Sequence, residues 1–143
     1  MQREILRDLR AIGCSIKKHF DNSQIKKEFE RVSGTHGWVI LFLAENEGKD
    51  IYQRDLEKQF GISRSTTSKM LAHMEQEGLV GREKVASDDR LKKIVLTAKS
   101  KELALKAGED RMMAVRKLTK GFTEEELENL SDYLGRMRDN MKN

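Results

Sequence analysis

Proline is missing from all 143 residues, which removes proline kinks and suits a chain dominated by long helices. One cysteine, Cys14, is present, so an intrachain disulfide framework is excluded. No window approaches the run of about 20 apolar residues that a membrane helix needs. The N-terminal stretch MQREILRDLR has no apolar run of signal-peptide type either. Both absences predict a cytoplasmic protein without a membrane partner. Enzyme signatures are lacking too: there is no glycine-rich phosphate loop and no nucleophile beside a base, so neither catalytic residues nor a cofactor are expected. The three histidines, His19, His36 and His73, have no carboxylate or thiol at ligand spacing, and no metal is expected.

Charge is what the chain has in quantity. Charged residues make up 36% of it and the mean hydropathy is −0.71. That leaves room for one domain whose apolar surface serves an interface as well as a core. The net charge of +4 and the pI of about 9.2 are compatible with nucleic acid without demanding it, so where the cations sit matters more than their sum.

The most informative stretch is residues 51–97, IYQRDLEKQFGISRSTTSKMLAHMEQEGLVGREKVASDDRLKKIVLT. Asp50 with Gln53 forms a capping pair that predicts a helix from near Ile51, with Tyr52, Leu56 and Phe60 on its core face. Gly61 supplies the left-handed residue that ends such a helix, Ile62 plugs the turn, and Ser63 caps the next helix. In that second helix Thr67, Leu71 and Met74 recur at spacings of four and three and point inward, with Met70 at the margin. Arg64, Ser65, Thr66, Ser68, Lys69, Ala72 and Gln76 are left outside. Hydroxyls and cations on the first two turns are what a recognition helix presents to base edges in the major groove. Glu75 and Glu77 come late in the helix, away from phosphates.

Gly78 ends this helix. Leu79 and Val80 open a strand through Arg82 and Lys84 to Val85, a polar tip of Ala86, Ser87, Asp88, Asp89 and Arg90 follows, and a second strand over residues 91–96 turns Ile94 and Leu96 inward. Arg82, Lys84, Arg90, Lys92 and Lys93 make the hairpin basic. It is therefore suited to lie on phosphates, with Arg90, oriented by Asp88 or Asp89, entering a minor groove.

This order of helix, turn, helix and hairpin, with GLV after the second helix, Asp-Asp-Arg in the wing and a closing Val-Leu-Thr, resembles the MarR family of bacterial transcription regulators. The resemblance extends over nearly the whole chain. It implies a mainly α fold with a small β-hairpin wing: a winged helix-turn-helix over residues 34–99, set between N- and C-terminal helices, residues 1–33 and 100–143, that form a dimerisation lobe. It implies a homodimeric repressor that binds a pseudopalindromic operator on double-stranded DNA and is released by a small-molecule effector. By position, Arg64, Ser65, Thr66, Ser68 and Lys69 correspond to the recognition-helix contacts and Arg90 to the wing contact, and Lys84 and Lys92 lie on the same basic wing. One departure is Lys99, Ser100 and Lys101 where many members have glycine, which is expected to alter a helix start and not the fold.

The flanking segments carry matching stripes. Ile5, Leu9, Ile12, Ile16 and Phe20 line one face of a first helix. At the other end Thr123 and Glu126 form a capping box, after which Leu127, Leu130, Leu134, Met137 and Met141 continue the repeat. A symmetric partner is the economical way to bury both. A central helix is predicted from near Thr35, presenting Trp38, Val39, Leu41, Phe42 and Leu43. Ile25, Phe29 and Val32 mark a short helix before it. A long helix runs from about Ala98 to the stop at Gly121, with Gly108 a weak point along it.

Cys14 lies off the apolar stripe, one turn from Arg10, Lys17 and Lys18 and two from Arg7. That environment allows a redox switch, although an incidental small helix residue explains it equally simply, and the tyrosines that accompany a sensing cysteine in some family members are not evident. Trp38 and Met70, Met74, Met112, Met113 and Met137 are either core or the lining of an effector pocket. The other class of function open to this fold is a protein-binding winged helix, which would call for apolar side chains on the exposed face that starts at Arg64.

Overall fold

A computed structural model describes residues 1–86 and 88–142, with the side chain of Asp89 outside the description. Its elements are α1 (Gln2–Asp21), α2 (Gln24–Ser33), a single 3-10 turn (Gly34–His36), α3 (Gly37–Glu45), α4 (Gln53–Phe60), α5 (Arg64–Gln76), β1 (Val80–Val85), β2 (Asp88–Leu96), α6 (Ala98–Leu118) and α7 (Glu124–Asn140). This is the mainly α, winged helix-turn-helix order that the sequence predicts. The chain divides into two compact units, Met1–Asp110 and Arg111–Asn143.

In the first unit the core gathers around α3. Val39 and Ile40 have no exposed surface and Leu43 is buried. They cluster with Leu56 of α4, Leu71 and Met74 of α5, Leu79 and Val80 at the start of β1, and Ile94 of β2. A helix apolar on nearly every side has no solvent face, which is why α3 takes the centre. Its entry is tight: a Cβ on Gly37 would stand 2.6 Å from Cε1 of Phe29, so α2 and α3 meet at a position only glycine fills.

Two local expectations are corrected. Asp50 does not cap α4; the helix starts two residues later than Ile51, and Asp55 accepts a hydrogen bond from the Tyr52 amide at 2.8 Å. The reason is a contact remote in sequence. Ile51 is buried, and its carbonyl accepts from the Ile94 amide of β2 at 2.7 Å, so it is held as extended chain beside the hairpin. Phe60 is also not fully inward. It is 36% exposed and packs edge-on against Trp38 and Phe42, with ring centroids 4.2 and 5.3 Å away.

The start of α6 explains the residues that stand in place of glycine. Thr97 donates its hydroxyl to the Gly78 carbonyl at 2.7 Å and accepts from the Ser100 amide at 3.3 Å. Ser100 is wholly buried and donates to the Leu79 carbonyl at 2.6 Å. One serine thus ties the end of the helix-turn-helix to the next helix. Beyond it, α6 passes unbroken through Gly108.

In the second unit, Thr123 accepts from the Glu126 amide at 3.2 Å and Glu126 accepts from the Thr123 amide at 2.8 Å, the capping box expected of α7. The helix ends at Asn140, so Met141 is its C-cap and not a further helical turn.

Replacing Ser100 by Ala should lower stability by about 1 to 3 kcal/mol, because it removes a buried donor from the Leu79 carbonyl. Urea unfolding should show a lower midpoint at an unchanged slope.

Candidate nucleic-acid interface

The exposed face of α5 is set by local chemistry at its first turn. Gly61 sits at φ 62°, the left-handed stop of α4. Ser63 then accepts from the Thr66 amide at 3.2 Å and donates to the Thr66 hydroxyl at 2.9 Å. The Thr66 hydroxyl therefore keeps its own proton available for an outside acceptor. Thr67 turns inward, fully buried, and gives its hydroxyl to the Ser63 carbonyl at 2.8 Å. Gln53, at the start of α4, donates to the Arg64 carbonyl at 3.3 Å and to Glu57 at 3.1 Å, which joins the two helices at this end.

With Thr67, Met70, Leu71 and Met74 buried, the period of the helix leaves Arg64, Ser65, Thr66, Ser68 and Lys69 exposed together. Two cations and three hydroxyls thus stand over the positive end of the helix dipole, an arrangement that attracts phosphate and offers donors to base edges.

The wing is a two-stranded antiparallel ribbon in which Arg82 pairs with Ile94, Glu83 with Lys93, Lys84 with Lys92 and Val85 with Asp88. The second strand begins at Asp88, three residues earlier than the predicted 91, so Arg90 belongs to the strand and not to the tip. The ladder is irregular here. The register shifts between the Lys84–Lys92 and Val85–Asp88 pairs, and such a bulge adds local twist and re-aims side chains. Asp88 accepts from the Arg90 amide at 2.9 Å, so it fixes the backbone of that arginine and not its guanidinium. The expected tip residue Ser87 and the orienting role of the Asp89 carboxylate lie outside the described residues.

The five basic wing residues divide into two groups. Arg82 lies 2.6 Å from Glu75, and Lys93 lies 3.3 Å from Asp50 and 3.9 Å from Glu83. Lys84, Arg90 and Lys92 form no ion pair among the described residues, and all three are exposed. Lys84 and Lys92 stand directly opposite each other. Like charges in a cross-strand pair destabilise a ribbon, and a polyanion laid across them removes the repulsion.

Other candidate residues lie apart from this face. Cys14 is exposed on α1. Nearby Lys17 bonds to Asp21 at 2.6 Å, a hydrogen bond and charge attraction that raise its pKa above the ordinary lysine value. His19 Nε2 is 3.4 Å from Asp110, close enough for attraction but too poorly aligned for a hydrogen bond, while Ser23 donates to the same carboxylate at 2.6 Å. Sequence spacing could not bring Asp110 to this pair, because α1 and α6 meet only through the fold. His36 and His73 pack edge to face with centroids 5.9 Å apart. No group of three metal-ligating side chains occurs among the described residues.

The stripe on α1 is unburied in the single chain: Ile5, Leu9 and Ile12 are 44%, 40% and 46% exposed, and Ile16 is half-buried. On α7, Leu134 and Met137 are 44% and 38% exposed, Leu127 and Leu130 are half-buried, and Met141 stands almost free at 85%.

Lys84→Glu should move two properties in opposite directions. It should stabilise the fold by a few tenths of a kcal/mol, about 0.2 to 1, by replacing the like-charge pair with an opposite-charge pair, and it should weaken DNA binding. Melting and fluorescence anisotropy on one preparation check both. A second outcome concerns His36, whose pKa is pulled below the ordinary 6.5 by burial and then by the neighbouring His73. The folded state binds fewer protons than the unfolded one, so stability holds above 6.5 and falls as pH drops below it toward the folded value. His36→Gln should flatten the change in urea midpoint between about pH 7 and about pH 5.

The chain is similar to several known proteins. A MarR family model matches residues 32–91. An uncharacterized HTH-type transcriptional regulator, YdgJ of Bacillus subtilis (strain 168), is 26% identical over 123 residues, 85% of this chain and 75% of its own length. Among solved structures, the transcription regulator MarR from Oenococcus oeni PSU-1 is 26% identical, with a TM-score of 0.51 over 94% of this chain and 98% of that one. The heme sensor protein PefR from Streptococcus agalactiae, in complex with heme, is 25% identical, with a TM-score of 0.55 over 95% of this chain and 92% of that one.

Proposed function

We propose that the chain is a member of the MarR family and, on that premise, a homodimeric, sequence-specific regulator of transcription that binds double-stranded DNA and acts as a repressor. The observation that carries this reading is the basic, hydroxyl-rich face of α5 beside an unneutralised Lys84–Lys92 pair on the wing. Helix α5 enters the major groove. There Arg64 and Lys69 serve guanine or phosphate, and Ser65, Thr66 and Ser68 bond either bases or backbone. Lys84 and Lys92 lie along phosphates, and Arg90 reaches toward the minor groove, where a narrow groove deepens the negative potential.

Residues 34–99 serve as the DNA-reading lobe and residues 1–33 and 100–143 as the dimerisation helices. The exposed stripes of Ile5, Leu9 and Ile12 and of Leu134 and Met137 support this division. Two copies then meet half-sites about 34 Å apart on a pseudopalindromic operator. Likeness to a heme sensor supports control by a small-molecule effector, which releases DNA by favouring a conformation that no longer matches that spacing. No described helix is long and apolar enough to cross a membrane, which fits a regulator that works in the cytoplasm. A protein-binding winged helix would present apolar side chains on the outer face of α5, and this one presents hydroxyls and cations.

Anisotropy of the purified protein on DNA from upstream of its own gene, against a shuffled duplex at two salt concentrations, tests the reading. The expected result is a preference of at least about 1000-fold that falls in absolute affinity as salt rises; equal binding to both duplexes would count against it. Leu134→Asp should give a monomer that no longer holds the operator, and a DNA-binding monomer in sedimentation would refute the role assigned to α7.

A further inference from the structure

Glu75 carries the wrong charge for a helix that lies against phosphates. It occupies the last turn of α5, and its carboxylate is held 2.6 Å from Nε of Arg82, the side chains being 39% and 32% exposed. Arg82 lies opposite Ile94, a core residue, so this contact is made on the face of the ribbon that turns toward the helix-turn-helix. Successive residues of a strand face opposite ways, and the neighbouring pair, Glu83 and Lys93, faces the other side. There Lys93 is 3.3 Å from Asp50, just before α4. The root of the wing is therefore gripped on both faces, while the cations of its outer part, Lys84, Arg90 and Lys92, form no ion pair among the described side chains.

A two-stranded ribbon is marginal by itself and can vary widely in twist. Its angle to α5 is accordingly decided by whatever holds its root. Yet the recognition face and the wing cations have to reach one stretch of duplex together, and any wandering of the wing in the free protein must be lost on binding.

We infer that Glu75 and Arg82 are positioning residues: their ion pair fixes the wing's angle on the recognition helix, and neither side chain contacts DNA. This rests on the reading of the chain as a DNA-binding regulator. The role differs from that of Lys84, Arg90 and Lys92, whose charges meet the ligand, and it accounts for an arginine and a glutamate that cancel each other beside a basic surface.

The test uses the full-length protein with Glu75→Gln, Arg82→Gln and the charge-exchanged double variant Glu75→Arg/Arg82→Glu. An acid that merely repels phosphates would raise affinity when neutralised. An arginine that bound phosphate would, when lost, reduce the salt slope by about one. Positioning predicts instead that each single variant weakens DNA binding about 3- to 10-fold with the salt slope and melting temperature unchanged, and that the exchanged pair recovers most of the loss. In the DNA-free protein, hydrogen exchange of the β1 and β2 amides should quicken in both single variants and return in the double, while the amides of α3 stay as they were. Tighter binding by Glu75→Gln, a shallower slope in Arg82→Gln, a double variant as weak as the singles, or unchanged wing exchange would each overturn the brace. Because the exchange measurement needs no DNA, failure of the wild type to bind an operator would reject the regulator reading separately.

Discussion

The burial of one side of α5 in the core that gathers around α3 is the constraint on which the exposed face depends. Val39 and Ile40 are fully buried, and Thr67, Leu71 and Met74 lie against that core with no exposed surface. Rotating α5 by even one residue position would swing its apolar side chains toward water and drive Arg64 or Lys69 into an apolar interior, where an unpaired charge is costly. The outward set of hydroxyls and cations is thus held by the residues that cannot leave the core. Gly61 and Ser63 fix where the helix begins, and burial fixes how it is turned. Together they leave the outer face no rotational freedom, as the proposed reading of bases by this helix requires.

The wing follows a different rule. It has little core, since Val80 and Ile94 are buried but Arg82, Glu83 and Lys84 are exposed. Its orientation therefore depends on charge. Partly screened ion pairs contribute little stability each, but at the root of a ribbon they select among orientations of similar energy. The division of labour is by distance from the core: Arg82 and Lys93 are paired with acids near the root, and Lys84 and Lys92 face each other farther out. A chain that only needed to be stable would not place two lysines in direct register.

How much of this was legible in the sequence depends on whether the deciding partner was near in the chain. Ser63, Gly61 and the Thr123–Glu126 box act within three or four residues of themselves, and each appears as local chemistry predicts. The inward set of α5 and the central place of α3 follow from apolar spacing alone. What escaped depended on contacts between distant segments. Asp50 looks like a cap, but Ile51 is drawn into extended pairing with Ile94, so the start of α4 moves to Gln53. Ser100 is a polar residue in a helical run until its hydroxyl meets the Leu79 carbonyl. Asp110 has no neighbour in sequence that would suggest Ser23 or His19. The second strand is longer than composition suggests, because Ser-Asp-Asp signals a turn whereas the strand begins at Asp88 beside a register shift that composition does not encode.

The exposed stripes bear on how such an interface could discriminate one operator. The outward residues of α5 sit on about two turns, enough to touch three or four base pairs, and so short a match recurs too often in a genome to be selective. Specificity therefore requires that two such faces act as one ligand, with their separation fixed. A flexible link would not do, because its freedom would have to be lost at each binding event. Ile5, Leu9 and Ile12 on α1, and Leu134 and Met137 on α7, stand 38% to 46% exposed in the single chain. That is more apolar surface than a soluble helix needs to show, and a second copy is the partner whose geometry would be the same each time. On the proposed reading, an effector then need not touch the outward side chains of α5 at all. A shift of the paired helices that changed the distance between the two copies of α5 would leave every contact residue intact and still separate the protein from its operator.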